Sequence, residues 1–233
     1  MHHEFTWLEW LFEGVTPKNI HVYSALIVAF FLIGAALLYK RSLKSAEAEL
    51  VPSPRLSLKN LFQVTVENVL SLMEGIIGPD ARRYFPLMGG LFIYIFVNNM
   101  LGSIPGFSSA TTNVNTNLAC ALTVFVYYNY LGIRKQGVVN YFKHFMGPVW
   151  WIAPLLLAIE LISHIVRPVT LSIRLFANLT GDHIVLGIFS DLVPLILPIV
   201  FMAFGIFISF IQAFVFVLLS SVYIGLAVAH EEH

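Results

Sequence analysis

One apolar run is longer than a membrane is thick, and this feature constrains the fold most. Residues 193–229 carry no charged side chain. As a single helix they would extend over roughly 55 Å at 1.5 Å per residue, whereas the hydrocarbon core of a bilayer is about 30 Å thick. We expect Pro194 and Pro198 to delay the start of this helix. Even the shortened helix has to tilt strongly or extend beyond the hydrocarbon.

The composition of the whole chain agrees with a membrane protein. Hydrophobic residues make up 58% of the sequence and charged residues 11%, whereas a soluble domain has about 45–50% and about 25%. A single soluble core cannot bury this much apolar surface, so most of it must face lipid. The 13 basic and 13 acidic residues balance, which excludes a broad basic surface for nucleic acid. We expect no cofactor or metal, because nucleotide-binding motifs are absent and Cys120 has no metal-ligand spacing around it.

Five long apolar stretches predict an all-α polytopic membrane protein. They cover residues 22–39, 84–104, 118–133, 149–189 and 193–229, and a helix needs about 20 apolar residues to cross a bilayer. The first three fit ordinary crossings. The last two are too long for upright helices, so we expect a slanted, steeply tilted hairpin that could wrap the side of another membrane protein. The whole chain, 1–233, is then one membrane domain.

The basic residues predict the orientation. Cations cluster between the first and second stretches and again between the third and fourth, at Lys40, Arg41, Lys44, Arg55, Lys59, Arg82, Arg83, Arg134, Lys135 and Lys143, whereas residues 107–117 are uncharged. The positive-inside rule assigns the basic loops and the carboxyl terminus to the cytoplasm, and the amino terminus to the outside. Residues 1–20 mix acidic with aromatic side chains, which suits an outer headgroup segment, although a disordered tail is the alternative.

Residues 56–78 predict an amphipathic helix. Their apolar side chains recur every three or four residues, with amides and carboxylates between them. Pro52 and Pro54 precede the segment, and Gly78 and Pro79 end it. The helix suits the cytoplasmic membrane surface, or it docks on a partner; the pattern does not separate these two interpretations.

A ladder of polar groups runs through the fourth stretch. Its members are Glu160, His164, Arg167, Leu171, Arg174, Asn178 and Asp182, which fall within roughly 40° of one line on a helix. Charged groups at mid-bilayer cost at least about 2.5–3.5 kcal/mol each, so they must face protein or water. Pro168 could interrupt the register of this face.

Structural explanations compete with a functional one for most of the ladder. Glu160 and His164 could form a pair, Arg167 could extend to an interface, Asp182 and Asp191 could mark a helix end, and Asn178 could cap or link helices. Arg174 is harder to explain in this way, because no carboxylate lies next to it in the sequence.

The chemistry of these groups indicates a proton path with an electrostatic gate. A guanidinium stays protonated, so Arg174 cannot relay a proton, but it can hold a carboxylate in its ionised form. Glu160, His164, Asp182 and His183 can take up and release protons. Since none of these carboxylates is an obvious moving carrier, we expect the carrier to belong to another subunit.

Two motifs carry a specific family resemblance, which covers nearly the whole chain. Residues 167–178 (RPVTLSIRLFAN) resemble the signature of subunit a of F-type ATP synthases, and residues 211–216 (IQAFVF) are similar to its last helix. Residues 98–106 (NNMLGSIPG) resemble a motif of an earlier span of that family, and the ending 229–233 (AHEEH) resembles bacterial members.

The resemblance implies the stator half of a rotary proton motor in a bacterial inner membrane, with catalysis on other subunits. Its partners would be a c-ring of small hairpin subunits, a peripheral-stalk subunit b and, indirectly, the catalytic F1 sector. Arg174 matches the arginine that separates two offset half-channels, and Asn178 and Gln212 match polar residues near it. Glu160 matches a carboxylate of the cytoplasmic path, and His183 matches a position of the outer path.

One position departs from the family pattern. Members with histidine at the position of His183 often carry glutamate where this chain has Gly205, so the outer path would rely on His183, Asp182, Asp191 or water. We favour protons over sodium ions because no clear cation cage is visible in the sequence. The competing function is a secondary proton or cation antiporter, which would be expected to show an inverted repeat; none is evident.

Overall fold

A computed structural model describes residues 6–11, 14–16, 18–42, 58–104, 106–141, 151–192 and 196–228. Within these ranges the chain is helical and contains no strand, which confirms the predicted all-α class. The helices are α1 (Trp7–Leu11), α2 (Ile20–Ser42), α3 (Leu58–Ile77), α4 (Ala81–Gly102), α5 (Val114–Gln136), α6 (Ala153–Leu192) and α7 (Ile196–Val228), with a 3-10 helix at Ala110–Thr112.

Some residues named above lie outside the described part of the chain. They are Lys44, Pro52, Pro54, Arg55, Pro105, Lys143, Pro194, residues 1–5 and residues 229–233, together with the side chains of Lys59 and Asp191. The interpretations that rest on them stay predictions.

Four of the helices are long and apolar enough to cross a membrane, as expected for a polytopic membrane protein. The candidate spans are Ile20–Leu38, Ala81–Gly102, Ala153–Phe189 and Pro198–Val228. The predicted crossing at 118–133 falls on α5, whose 23 residues give about 35 Å of helix. Its length therefore suffices, but Asn115, Asn117 and Asn129 make it more polar than the other four. The fifth crossing remains a prediction.

The last two helices have the predicted excess length. The 40 residues of α6 and the 33 residues of α7 correspond to about 60 Å and about 50 Å. The two helices pack against each other. Pro168 does not end α6, which is assigned as one helix through this position. Pro198 lies in the first turn of α7, where a missing backbone N–H removes no intrahelical hydrogen bond.

The core lies where α4, α5 and α7 meet and is closed by α3 and α6. Its largest fully buried apolar side chains are Met73, Met88, Ile95, Val124, Tyr128, Leu175, Phe216, Val217 and Ile224. The amphipathic helix α3 contributes Val69 and Met73 and packs on α4 and α7. Part of its apolar face therefore packs on other helices of the same chain. The periodicity of the sequence alone did not indicate this.

The described part of the amino-terminal segment is packed against the loop that follows α4. The backbone N–H of Trp7 donates to the carbonyl of Gly106 at 2.9 Å. Gly106 has φ +85°, and a Cβ there would lie 2.5 Å from Trp7 Nε1, so a glycine is required for both reasons. Leu8, Val15 and Ile20 form a small buried cluster beside this contact.

Candidate functional site

The polar ladder of α6 lies in three different environments rather than on one uniform face. Glu160, His164 and Arg167 line one cavity, and Asp182 lines a second cavity further along the helix. Between them, Arg174 and Asn178 are exposed. The buried face of α6 is slightly rotated from the ladder and shares Leu171 with it; this face consists of Pro168, Leu171, Ser172, Leu175 and Leu179.

The first cavity has a volume of about 180 Å³ and lies among α5, α6, α7 and the residues after α5. Its lining combines aromatic, charged and amide side chains: Tyr128, Gln136, Tyr141, Glu160, His164, Arg167, Tyr223, Leu226 and Ala227. The Gln136 amide donates to the carbonyl of Ala227 at 3.0 Å, which ties the end of α5 to the end of α7.

Arg167 points into the first cavity. Its Nη2 lies 3.3 Å from Oε1 of Glu160, and its Cζ lies 5.2 Å from the ring centroid of Tyr223. The guanidinium thus forms an ion pair along α6 and a cation–π contact with α7. Both contacts hold Arg167 within the chain, and they give Glu160 a cationic partner seven residues away; whether Arg167 also reaches an interface stays a prediction.

His164 is held by an amide that the sequence analysis did not single out. Its Nε2 lies 2.8 Å from Oδ1 of Asn129, and the hydroxyl of Tyr141 donates to the same oxygen at 2.8 Å. The rings of Phe125 and Tyr128 lie 5.0 and 5.4 Å from the imidazole, which is only 7% exposed. Asn129 and Tyr141 were therefore missed; an asparagine inside a predicted membrane span was the available signal.

Arg174 lies on the surface of the chain. The residues around it on the packed face, Leu171 and Leu175, are buried, whereas Arg174 itself is exposed. Among the described residues, no carboxylate forms an ion pair with its guanidinium. An outward-facing guanidinium in the middle of a long apolar helix requires water or a partner beyond the described residues.

Asn178 links the two long helices one turn further along. Its Nδ2 donates to Oε1 of Gln212 at 2.6 Å, and Gln212 is 5% exposed. The structural alternative considered for Asn178, a link between helices, is therefore what the structure shows. The bond also holds two of the predicted site residues together, next to Arg174.

The second cavity is small and is bounded by glycines. Its volume is about 20 Å³, slightly more than the roughly 10–15 Å³ that one water molecule requires. It is lined by Gly102, Ser103, Leu179, Asp182, His183, Leu186, Phe201, Met202 and Gly205. A Cβ on Gly205 would lie 3.2 Å from Oγ of Ser103. Gly205, the position that departs from the family pattern, therefore faces Ser103, the residue that directly follows α4.

His183 approaches α4 at Gly102. A Cβ on Gly102 would lie 3.2 Å from Nε2 of His183 and 2.7 Å from Cβ of Ser109. Buried polar groups continue from there, because Ser109 Oγ donates to the carbonyl of Asn98 at 2.7 Å and Thr111 Oγ1 donates to Asn99 Oδ1 at 2.6 Å. The motif at 98–106 thus joins α4 to the 3-10 helix beside the second cavity.

Among the residues that the structure describes, no group of three or more His, Cys, Asp or Glu side chains is arranged to hold a metal ion.

Comparison with known proteins identifies the family. The family model described as ATP synthase A chain matches residues 21–225. The chain belongs to this family. It is 41% identical to ATP synthase subunit a of Bdellovibrio bacteriovorus, over 97% of this chain and 99% of the relative. It is 44% identical to ATP synthase subunit a 1 of Syntrophotalea carbinolica, over 97% of both chains. Against ATP synthase subunit a of Geobacter sulfurreducens, the identity is 39% over 96% of both chains.

Proposed function

We propose that this chain is the proton-translocating stator subunit of an F-type ATP synthase and that it provides two offset half-channels to the carboxylates of a rotating c-ring. One observation carries the proposal: the exposed Arg174 lies between two cavities on one helix, and titratable side chains line each of them. Along α6, Arg174 is about 15 Å from His164 and about 13 Å from His183. The two cavities therefore approach the arginine from opposite ends.

Arg174 is suited to separate the half-channels. Its guanidinium remains protonated, so it attracts an ionised carboxylate and cannot itself pass a proton between the cavities. A protonated ring carboxylate is neutral and can face lipid, whereas an ionised one is stabilised beside Arg174. The hydrogen bond between Asn178 and Gln212 supports this surface from behind.

The first cavity forms the cytoplasmic half-channel in this proposal. It is lined by Gln136, at the end of α5, where Lys135 forms an ion pair with Asp80 at 3.5 Å. Asp80 directly precedes α4, and Arg82, in the first turn of α4, forms an ion pair with Glu74 at 2.8 Å. Basic residues mark the cytoplasmic side of membrane proteins, so this end faces the cytoplasm. Glu160 and His164 then release protons inward, with the amino terminus outside and the carboxyl terminus inside.

The second cavity forms the outer half-channel in this proposal, with His183 and Asp182 as its titratable groups. Ser103 supplies the polar group opposite Gly205. Each proton that crosses a potential of about 100 mV yields about 2.3 kcal/mol, so several protons are needed for each ATP. ATP synthesis itself would take place on the F1 sector, held by a peripheral stalk that contains subunit b, in a bacterial inner membrane.

Substitution of Arg174 tests the proposal. Arg174→Ala removes the guanidinium that holds the ionised ring carboxylate in this proposal, so we expect proton-driven ATP synthesis in membrane vesicles to fall to background. Assembly should persist, because the exposed side chain contributes no core packing, and the ring should still co-purify with the chain. Arg134→Ala is the matched control, since Arg134 is also exposed but lies at the end of α5. Normal synthesis in Arg174→Ala, or purification without a ring, as for an antiporter, would refute the proposal.

A further inference from the structure

The hydrogen bonds around Asn129 determine which nitrogen of His164 carries a hydrogen. Asn129 Nδ2 donates to the backbone carbonyl of Phe125 at 2.7 Å, and this contact fixes the orientation of the amide. Oδ1 is then the atom that lies 2.8 Å from Nε2 of His164. Because an amide oxygen only accepts hydrogen bonds, Nε2 has to be the donor.

Tyr141 strengthens this assignment. Its hydroxyl donates to the same Oδ1 at 2.8 Å, so both lone pairs of the oxygen are occupied. Rotation of the amide would break three hydrogen bonds together, to His164, Tyr141 and Phe125. His164 and Tyr141 are both buried, each 7% exposed, so water does not readily replace these contacts.

We propose that Asn129 is a positioning residue for proton transfer, which holds His164 as the Nε2–H tautomer and so assigns proton exchange to Nδ1. A neutral imidazole has one N–H and one lone pair, and with Nε2 protonated the lone pair belongs to Nδ1. Uptake of a proton forms an N–H bond at Nδ1 and gives the imidazolium; release from Nδ1 restores the neutral ring. The bond from Nε2 to Asn129 persists in both states, so neither side chain has to turn.

The first cavity surrounds His164 with other groups that titrate or carry charge. They are Glu160 and Arg167 on α6, Tyr128 on α5, Tyr141 after α5, and Tyr223 on α7. A volume of about 180 Å³ accommodates several water molecules, since one molecule requires roughly 10–15 Å³ of such space. Water can therefore carry protons to and from the imidazole. The role in transport rests on the proposed function, whereas the tautomer does not.

The tautomer can be measured by nitrogen NMR of the assembled complex in lipid membranes, with ¹⁵N-labelled histidine. His164→Asn identifies the His164 signal by its loss. We expect the neutral wild-type ring to be a single Nε2–H species and Asn129→Leu to give a mixture of both tautomers. Asn115→Leu is the matched control, an asparagine of the same helix outside the first cavity, and should leave the signal unchanged.

Several outcomes would overturn the inference. One is a wild-type His164 that carries its hydrogen on Nδ1; another is an Asn129→Leu spectrum that matches the wild type. If Asn129→Leu does not assemble, Tyr141→Phe is measured in its place. This variant removes one donor to Asn129 but keeps the amide oxygen, so we expect the Nε2–H species of His164 to remain. Loss of that species would overturn the inference.

A transport measurement separates this inference from the proposed function. Proton-driven ATP synthesis should slow several-fold in Asn129→Leu and stay normal in Asn115→Leu. A changed tautomer with normal synthesis would overturn the positioning role. Normal synthesis in Arg174→Ala would instead refute the proposed function and leave the tautomer assignment standing.

Discussion

The two cavities along α6 are built in different ways. The first, about 180 Å³, is kept open by long polar side chains that hold one another: Arg167 with Glu160 and Tyr223, and His164 with Asn129. The second, about 20 Å³, is bounded by Gly102 and Gly205, and it exists because glycine has no side chain to fill it. The path through the first cavity therefore depends on which side chains line it. The path through the second cavity depends on the small space that its glycines leave open.

Among the substitutions that distinguish the two cavities, the largest effect should come from adding a side chain at the wall of the smaller one. In Gly102→Ala, the new Cβ would lie 2.7 Å from Cβ of Ser109 and 3.2 Å from Nε2 of His183, so the neighbouring elements have to shift. Overpacking of this kind costs about 1–3 kcal/mol. We expect most of the proton-driven ATP synthesis in vesicles to be lost.

Gly34→Ala is the matched control for this substitution. Gly34 lies within α2 and has open space where a Cβ would be added. Alanine is favoured over glycine in a helix by up to about 1 kcal/mol, so Gly34→Ala should behave as the wild type. Equal activities of the two variants would show that the small cavity does not limit transport.

A smaller effect is expected from removal of the imidazole at the second cavity. His183→Ala enlarges the space but removes a side chain that can take up and release a proton. We expect slower proton uptake from the outer side and an altered dependence of ATP synthesis on the outer pH. Measurement in vesicles with the inner pH held constant isolates this path. A pH profile that matches the wild type would remove His183 from the proton path.

The smallest effect should come from Arg167, because its cavity has room and other polar groups. Arg167→Leu removes the ion pair to Glu160 and the contact with Tyr223. Glu160 is 41% exposed, and ion pairs at this level of exposure contribute only about 0–1 kcal/mol. We expect assembly to persist and synthesis to slow only a few-fold, with a changed dependence on the inner pH.

Two further variants, Arg167→Lys and Arg134→Leu, test which property of Arg167 matters. Lysine keeps the charge beside Glu160 but lacks the planar guanidinium that lies near the Tyr223 ring, so its effect should be intermediate. Arg134→Leu removes an exposed arginine outside the cavity and should have no effect. A loss in Arg167→Leu as complete as that expected for Arg174→Ala would mean that the two arginines do not differ in role.

The membrane class, the all-helical fold and the family could all be predicted from the amino-acid sequence. Long uncharged runs favour helices, which satisfy their backbone hydrogen bonds within the segment, over barrel strands, which are only about ten residues long and alternate in polarity. The sequence also contains the motif at 167–178, and it shows that no carboxylate lies next to Arg174 along the chain. Helical periodicity could also place the ladder of α6 on one side of a helix, because that property depends only on spacing.

The contacts between side chains of different helices could not be predicted and became visible in the folded chain. His164 bonds to Asn129, 35 positions away, and Asn178 bonds to Gln212, 34 positions away. Periodicity within one helix cannot predict such contacts, because they depend on the rotation and crossing of neighbouring helices. For the same reason, the sequence could not distinguish an exposed Arg174 from an Arg167 turned inward. Both are arginines on a single ladder, and only the packing of α5 and α7 gives them different surroundings.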